Sequence, residues 1–293
     1  MKQKLILLSL IISLFSVLPA RAEKFSISET FITESIQVEG LAGRPWEIVA
    51  SPLQEEQERA WMDASHHAYE ALLKLPFGDG KKVSDCLFVN PSLKKRLGML
   101  LKAAEKDFYT EELSGLVKCK LRVELSGPVS LRSALYLEAL KLGTAKASDI
   151  FFRKDRETGE KIKKSPYSQL VIDMRKTSFQ PSLFPKFLSE KGFLLFQEAM
   201  IASPARFSRP AVVYRTEMPD FTSGNVFFAE TSFDSKHPHD IIVKYQDLNE
   251  FVLFAGDLEE NLLSDKTIVV LIDKIDSLKH VNSGRLQKTS KQK

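Results

Sequence analysis

Residues 117–125 read VKCKLRVEL, and residues 53–75 read LQEEQERAWMDASHHAYEALLKL. The first stretch alternates without a break. Val117, Cys119, Leu121, Val123 and Leu125 fall on one side, and Lys118, Lys120, Arg122 and Glu124 on the other. That is the period of a strand with one face in a core and one in water. In the second stretch Ala60, Ala64, Ala68, Ala71 and Leu72 recur with Trp61 and Leu75 on neighbouring rows of a 3.6-residue period. Ser51-Pro52 supplies a start with a first-turn proline. Glu55, Glu56 and Glu58 sit where the helix dipole favours anions, and Pro76 stops the run. Alanines on the buried stripe let the helix lie close to its neighbour. Together the two stretches predict an α+β fold, with an Ala-rich helix packed on a mixed or antiparallel sheet.

Upstream, Glu23 to Pro52 reads as one or two short strands and a loop. Lys82 to Asn90 reads as a strand carrying Cys86, and Ser92 to Lys106 as a helix. Phe108 to Leu113 and Leu116 to Leu125 form a hairpin across Ser114-Gly115. Ser130 to Leu142 is a helix closed by Gly143. The charge-rich run RKDRETGEKIKK, residues 153–164, divides a helix-plus-sheet part (23–152) from a strand-rich part (165–276). Strands are predicted at 169–174, 181–188, 193–197, 211–215, 225–228, 241–245 and 267–272, with a short helix at 258–263. Residues 277–293 are basic, lack apolar periodicity and are expected to be disordered.

The first 22 residues predict an export signal. Lys2 and Lys4 precede an apolar run from Leu5 to Leu18, and Ala20-Arg21-Ala22 supplies small residues for cleavage after Ala22. The run is shorter than the ~20 residues that span a bilayer. The expected location is the periplasm, with no transmembrane helix in the mature chain. The net charge of +4 falls to +1 without Lys2, Lys4 and Arg21; residues 279–293 hold +5, so residues 23–278 carry about −4. The basic balance therefore belongs to the ends, and no nucleic-acid partner is expected.

Cys86 and Cys119 are the two cysteines. In an oxidising compartment the first reading is a disulfide; the alternative is two buried free thiols. His66-His67 are adjacent on the first helix and point in different directions. His237 and His239 flank Pro238, but a metal would need a third ligand, for which Asp234 and Asp240 are the nearby carboxylates. There is no nucleophile elbow and no phosphate loop. No cofactor and no metal site is expected. Asp173 and Arg175 follow a buried-looking strand and are read as a structural turn or ion pair. The twenty phenylalanines are the unusual feature. Phe151-Phe152, Phe227-Phe228 and Phe251 with Phe254 crowd aromatics on what read as strands or loops. Alternation turns one of each adjacent pair outward, so these six are candidate interface residues.

Three stretches resemble the Lpp-twenty family of bacterial envelope lipoproteins, whose domain is similar to the N-terminal domain of the flagellar assembly protein FlgT. They are YSQLVIDMRKTSFQPSLFPKF (167–187), DIIVKYQDLNEFVLFAGDLEENLL (240–263) and DKTIVVLID (265–273). Within the first, Ile172, Asp173, Arg175, Pro181, Leu183 and Pro185 carry the likeness, and the helix from Glu58 to Leu75 matches the family's leading helix. The chain departs at the lipid-bearing Cys, which is absent. It departs again after Arg175, where the family's glycine is Lys176. The resemblance implies a non-enzymatic envelope protein that acts by protein–protein contact, with flagellar or outer-membrane components as partners. The alternatives are a periplasmic hydrolase and a module for a small ligand or glycan.

Overall fold

The computed structural model describes residues 25–42, 52–112, 114–141, 164–201, 210–219, 225–260 and 266–273. The signal segment, Phe151, Phe152, residues 153–163 of the charged run and the basic tail lie outside the described residues.

The N-terminal half opens with α1 (Ile27–Thr33) and β1 (Ser35–Leu41). Ser26 caps α1 by accepting from the Glu29 N–H at 3.2 Å, and Glu34 ends it in the left-handed conformation, φ 53°. The sequence reading has only extended chain here. Then follow α2 (Leu53–Lys74), β2 (Pro76–Gly78) and β3 (Lys81–Lys82). Next come α3 (Val83–Val89), α4 (Ser92–Ala103), β4 (Glu105–Thr110), β5 (Val117–Glu124) and α5 (Leu131–Ala139). The strands β1-β5-β4 form an antiparallel sheet, with Gly40 and Phe108 both opposite Cys119. The inward residues of β5 are buried as the alternation predicts. Helix α2 lies on that face through Ala60, Ala64, Ala68 and Ala71. Its approach depends on Gly40, where a methyl group would overlap the Ala64 amide nitrogen and the Ala60 carbonyl oxygen.

The C-terminal half contains β6 (Gln169–Asp173), β7 (Lys186–Ser189), β8 (Leu194–Gln197), β9 (Val212–Arg215) and β10 (Val226–Phe228). It continues with β11 (Thr231–Phe233), β12 (Ile241–Val243), α6 (Leu248–Glu260) and β13 (Thr267–Leu271). One sheet has the order β10-β6-β13-β9 and is parallel throughout. Parallel strands are buried on both faces, and Leu170–Ile172 and Ile268–Leu271 are indeed buried at every position. The other sheet, β11-β12-β7-β8, pairs β12 with β7 parallel and is otherwise antiparallel.

The fold is α+β, and buried side chains of both halves merge into one cluster that runs from Phe31 and Leu72 to Phe187 and Phe251. Three local expectations are corrected. Residues 83–89 are helix rather than strand, because Val83 and Cys86 make one inward stripe against the core and Phe88 and Val89 stay outside. The strand expected at 181–188 is reduced to β7; before it, the Leu183 and Phe184 N–H groups donate to the Pro76 and Phe77 carbonyls and so bind to β2. Residues 248–260 are one helix. Phe251, Val252, Phe254, Ala255 and Leu258 are buried at i, i+1, i+3, i+4 and i+7, so core packing overrides the strand preference of Phe and Val.

Candidate functional site

Where the two halves meet, charge is buried. Arg132 lies in the first turn of α5, whose start is fixed by Ser130 accepting from the Ser133 N–H at 3.3 Å. The side chain falls on the row of Leu135 and Ala139 and is only 3% exposed. Its guanidinium pairs with Glu198, which follows β8 and is 2% exposed. On its other side it meets Glu34, at the α1–β1 corner, at 3.8 Å. Glu34 also accepts from Ser126 Oγ at 2.6 Å. Beside them, Tyr214 on β9 donates its hydroxyl to the Ser182 carbonyl at 2.9 Å and sets its ring edge-on to Phe31, 5.3 Å between centres.

One cation thus faces two carboxylates in a dry site. Burial, opposed by Arg132 and reinforced by Glu34, pushes the Glu198 carboxyl up to about 7. A proton there removes the surplus negative charge. Burial also raises the Tyr214 hydroxyl. A carboxyl poised near neutrality suits acid–base chemistry, but structural ion networks shift pKa values in the same way. Glu198, 2% exposed, offers a substrate almost no surface. The trio ties α1, α5 and β8 together.

A second polar group spans the mixed sheet. Ile241 pairs with Phe187, and Lys186 pairs with Gln197, so Asp240, Lys186 and Gln197 form one row across β12, β7 and β8. Phe187 and Phe196 turn to the opposite face, where Phe187 meets Phe251 at 5.4 Å. Lys186 Nζ reaches Asp79 Oδ1 at 2.5 Å, in the turn between β2 and β3. Asp240 Oδ1 and both amide atoms of Gln197 have no hydrogen-bond partner among the described residues. Burial raises the Asp240 carboxyl, with Lys186 and His237 opposing. His239 is buried and donates its Nδ1–H to the Gln180 carbonyl at 2.9 Å, which fixes the ring. Among the described residues no three His, Cys, Asp or Glu side chains gather as a metal site.

Cys86 and Cys119 are both buried free thiols, which corrects the disulfide expected between them. Cys86 sits on α3 within the field of Glu138, Asp85, Lys81 and Lys141, and burial pushes it up to about 11. Cys119 sits on the central strand of another layer, near Lys106 and Asp107, and is raised by burial too. The two have no charged neighbour in common, and neither is a reactive thiolate. Asp173 and Arg175 form a forked ion pair at the end of β6, with Nη2 to Oδ2 at 2.6 Å and Nε to Oδ1 at 2.9 Å. The Arg175 side chain holds the Asp173 carboxyl below its usual range. Lys176 adopts φ 62°, the conformation a glycine would favour, and donates its N–H to Asp273 at 2.6 Å.

Of the candidate interface residues, Phe251 and Phe254 are fully buried, because the helix α6 turns both into the core; the surface role expected of them is corrected. Phe227 turns its ring to Tyr167, 5.2 Å away, and Phe228 is 49% exposed. His66 and His67 diverge as expected, His66 to Glu70 and His67 Nδ1 to the Glu39 carbonyl. Sequence reasoning missed Arg132, Glu34 and Glu198. The one available signal was an arginine on the apolar stripe of SLRSALYLEAL.

The geometry thus defines an α+β protein whose buried charges join two halves and whose edge strand β10 presents an aromatic. Residues 169–274 match the family described as Treponema pallidum Tp0624, second domain. The matched segment starts at the first residue of β6 and takes in both four-stranded sheets and α6. No curated protein matches the chain.

Proposed function

We propose that this chain is an exported, non-enzymatic protein of the bacterial envelope that acts by docking other envelope proteins, components of a flagellar or outer-membrane assembly. Phe228 carries the reading. It stands 49% exposed on β10, an outer strand of the parallel sheet, while its neighbour Phe227 is turned inward. An exposed aromatic on the outermost described strand offers a side-chain anchor to a partner. The export signal in residues 1–22 and the likeness to envelope families support the compartment. Among the described residues no helix is long and apolar enough to cross a membrane.

The test is photocrosslinking in intact cells from position 228, with Lys191 in the turn between β7 and β8 as an exposed control. A discrete adduct with an identified envelope protein from 228 alone is expected. No adduct, or the same adducts from both positions, would overturn the proposal. A second reading, a small-ligand module, is favoured by the unpartnered Asp240 and Gln197 atoms. It requires that Gln197→Leu abolish a calorimetric signal with a polar ligand.

A further inference from the structure

The N-terminal half carries a second exposed apolar surface, remote in sequence from Phe228. It centres on the turn between α3 and α4. Phe88 is 92% exposed and Val89 73%, the two most exposed large apolar side chains apart from Tyr245 among the described residues. Asn90, next in the chain, donates from Nδ2 to Glu138 at 2.6 Å, and Arg96 donates to the Ala134 carbonyl and to Glu138. These bonds fix the turn against the end of α5, where Leu137 and Leu140 are also exposed. On α4, Lys95, Met99 and Lys102 lie at i, i+4 and i+7 and are all exposed, so they form the outer row of that helix. A solvated helix has no use for four large apolar side chains of α3 and α5 kept in water around a fixed turn.

The charge of this surface selects its partner. Residues 86–104 contain Lys94, Lys95, Arg96 and Lys102 and no acidic residue, in a body whose residues 23–278 are net negative. Arg96 is spent on Glu138, whereas Lys94, Lys95 and Lys102 make no salt bridge among the described residues. Lys141 adds a cation beside α3, within the field of Cys86. Of the nearby acids, Glu138 is buried under Asn90 and Arg96, Asp85 is exposed and accepts from the Lys82 N–H at 2.7 Å, and Glu105 is exposed at the far end of α4. The core of a protein interface is depleted in lysine. Lysines interleaved with exposed Phe, Val, Leu and Met are what binds an anionic lipid surface, the apolar tips entering the headgroup boundary and the ammonium groups meeting the phosphates.

We propose that the α3–α4 turn, with Phe88 and Val89 at its tip and Lys94, Lys95, Lys102 and Lys141 around it, docks the protein on the surface of an anionic phospholipid bilayer. The contact is peripheral, so the protein is held at a membrane face. This goes beyond the protein-docking reading and stands on different residues.

The test uses the full mature chain and phosphatidylcholine vesicles with and without phosphatidylglycerol. Binding is expected only with the anionic lipid. Because the basic tail also attracts such vesicles, the decisive variants keep it. Phe88→Ser/Val89→Ser, which leaves every charge in place, is expected to weaken binding at least tenfold, and Lys94→Gln/Lys95→Gln about fivefold per lysine removed. Phe88→Trp is expected to shift its emission to the blue and to be quenched by brominated lipid, while Phe228→Trp is not. If Phe88→Ser/Val89→Ser binds like the native chain with an unchanged thermal melt, or if Phe88→Trp stays in water, the proposal is overturned. The same holds if these variants leave vesicle binding intact and instead remove a crosslink to an envelope protein. None of these outcomes touches the crosslinking result at position 228.

Discussion

Where α2 meets β1 the contact is dry and as close as backbone allows, whereas where α5 meets the end of β8 it is wholly charged. In the first seam Gly40 faces Ala60 and Ala64, and the strand touches the helix main chain. In the second a guanidinium stands between two carboxylates, with Arg132 Nε and Nη2 and Glu34 Oε1 left without hydrogen bonds. The dry seam has no freedom to absorb added volume. The charged seam holds volume easily but balances charge poorly. The seams should therefore fail in different ways.

The largest effect is expected at the dry seam. Gly40→Val places side-chain atoms inside the α2 backbone, which no rotamer can relieve. A loss of about 4 kcal/mol or more in denaturant unfolding is expected, within the range reserved for severe core disruption. A near-native melt would mean that α2 sits further from β1 than described.

The charged seam comes next. Arg132→Met leaves two carboxylates facing each other without a cation, and breaking a buried pair by removing one partner costs about 3–5 kcal/mol. Arg132→Met/Glu198→Leu removes the main charge pair and is expected to recover much of that loss, because apolar replacements of buried pairs are often neutral. A double variant no better than the single would show that the seam depends on shape rather than charge.

Titration sharpens the contrast, since the ionisable groups that bond β1 from α2, Asp63 and His67, lie at the exposed rim of the dry seam rather than inside it. The Glu198 carboxyl stands at about 7 in the folded chain against an ordinary 4.5. The folded state therefore holds a proton that the unfolded state releases. The stability it contributes is complete below pH 4.5 and is lost as pH rises through 7, with a span of about 3 kcal/mol at most. In urea titrations across this window, Glu198→Gln is expected to show a flatter pH dependence than the native chain. Asp173, Glu111 and Glu190 have lowered values and titrate below this window with the opposite slope. Identical slopes in native and variant would remove Glu198 from the account.

The seams also differ in how far the sequence disclosed them. The alternation of 117–125 and the alanine row of 60–71 state their own periods, so β5, α2 and the face between them were legible. Gly40 was visible only as a break in an extended run, because the atoms it must clear lie on another element. The charged seam joins positions 34, 132 and 198, and nothing local couples them. Arg132 on an apolar stripe is the one local trace of it, went unread, and does not say which residues answer it. Short apolar runs misled more directly. DCLFV and FVLFA suit a strand by composition, and only the core they join decides that they are helices. The same ambiguity put Phe251 and Phe254 on the surface and hid an exposed pair, Phe88 and Val89.

The smallest effect concerns two of the three left-handed non-glycine residues described, one beside the charged seam and one away from it. Glu34 has φ 53° and Lys176 φ 62°. A side chain in that conformation costs roughly 1–2 kcal/mol, part of which glycine returns through its freer unfolded chain. Lys176 uses only its backbone N–H, bonded to Asp273. Lys176→Gly keeps that bond and is expected to stabilise the chain by up to about 1 kcal/mol. Glu34→Gly relieves a similar strain but discards the carboxylate that meets Arg132 and Ser126, so it is expected to gain nothing or to lose. If both glycine variants were stabilising by the same amount in equilibrium unfolding, Glu34 would not belong to the seam, and Arg132 would be held by Glu198 alone.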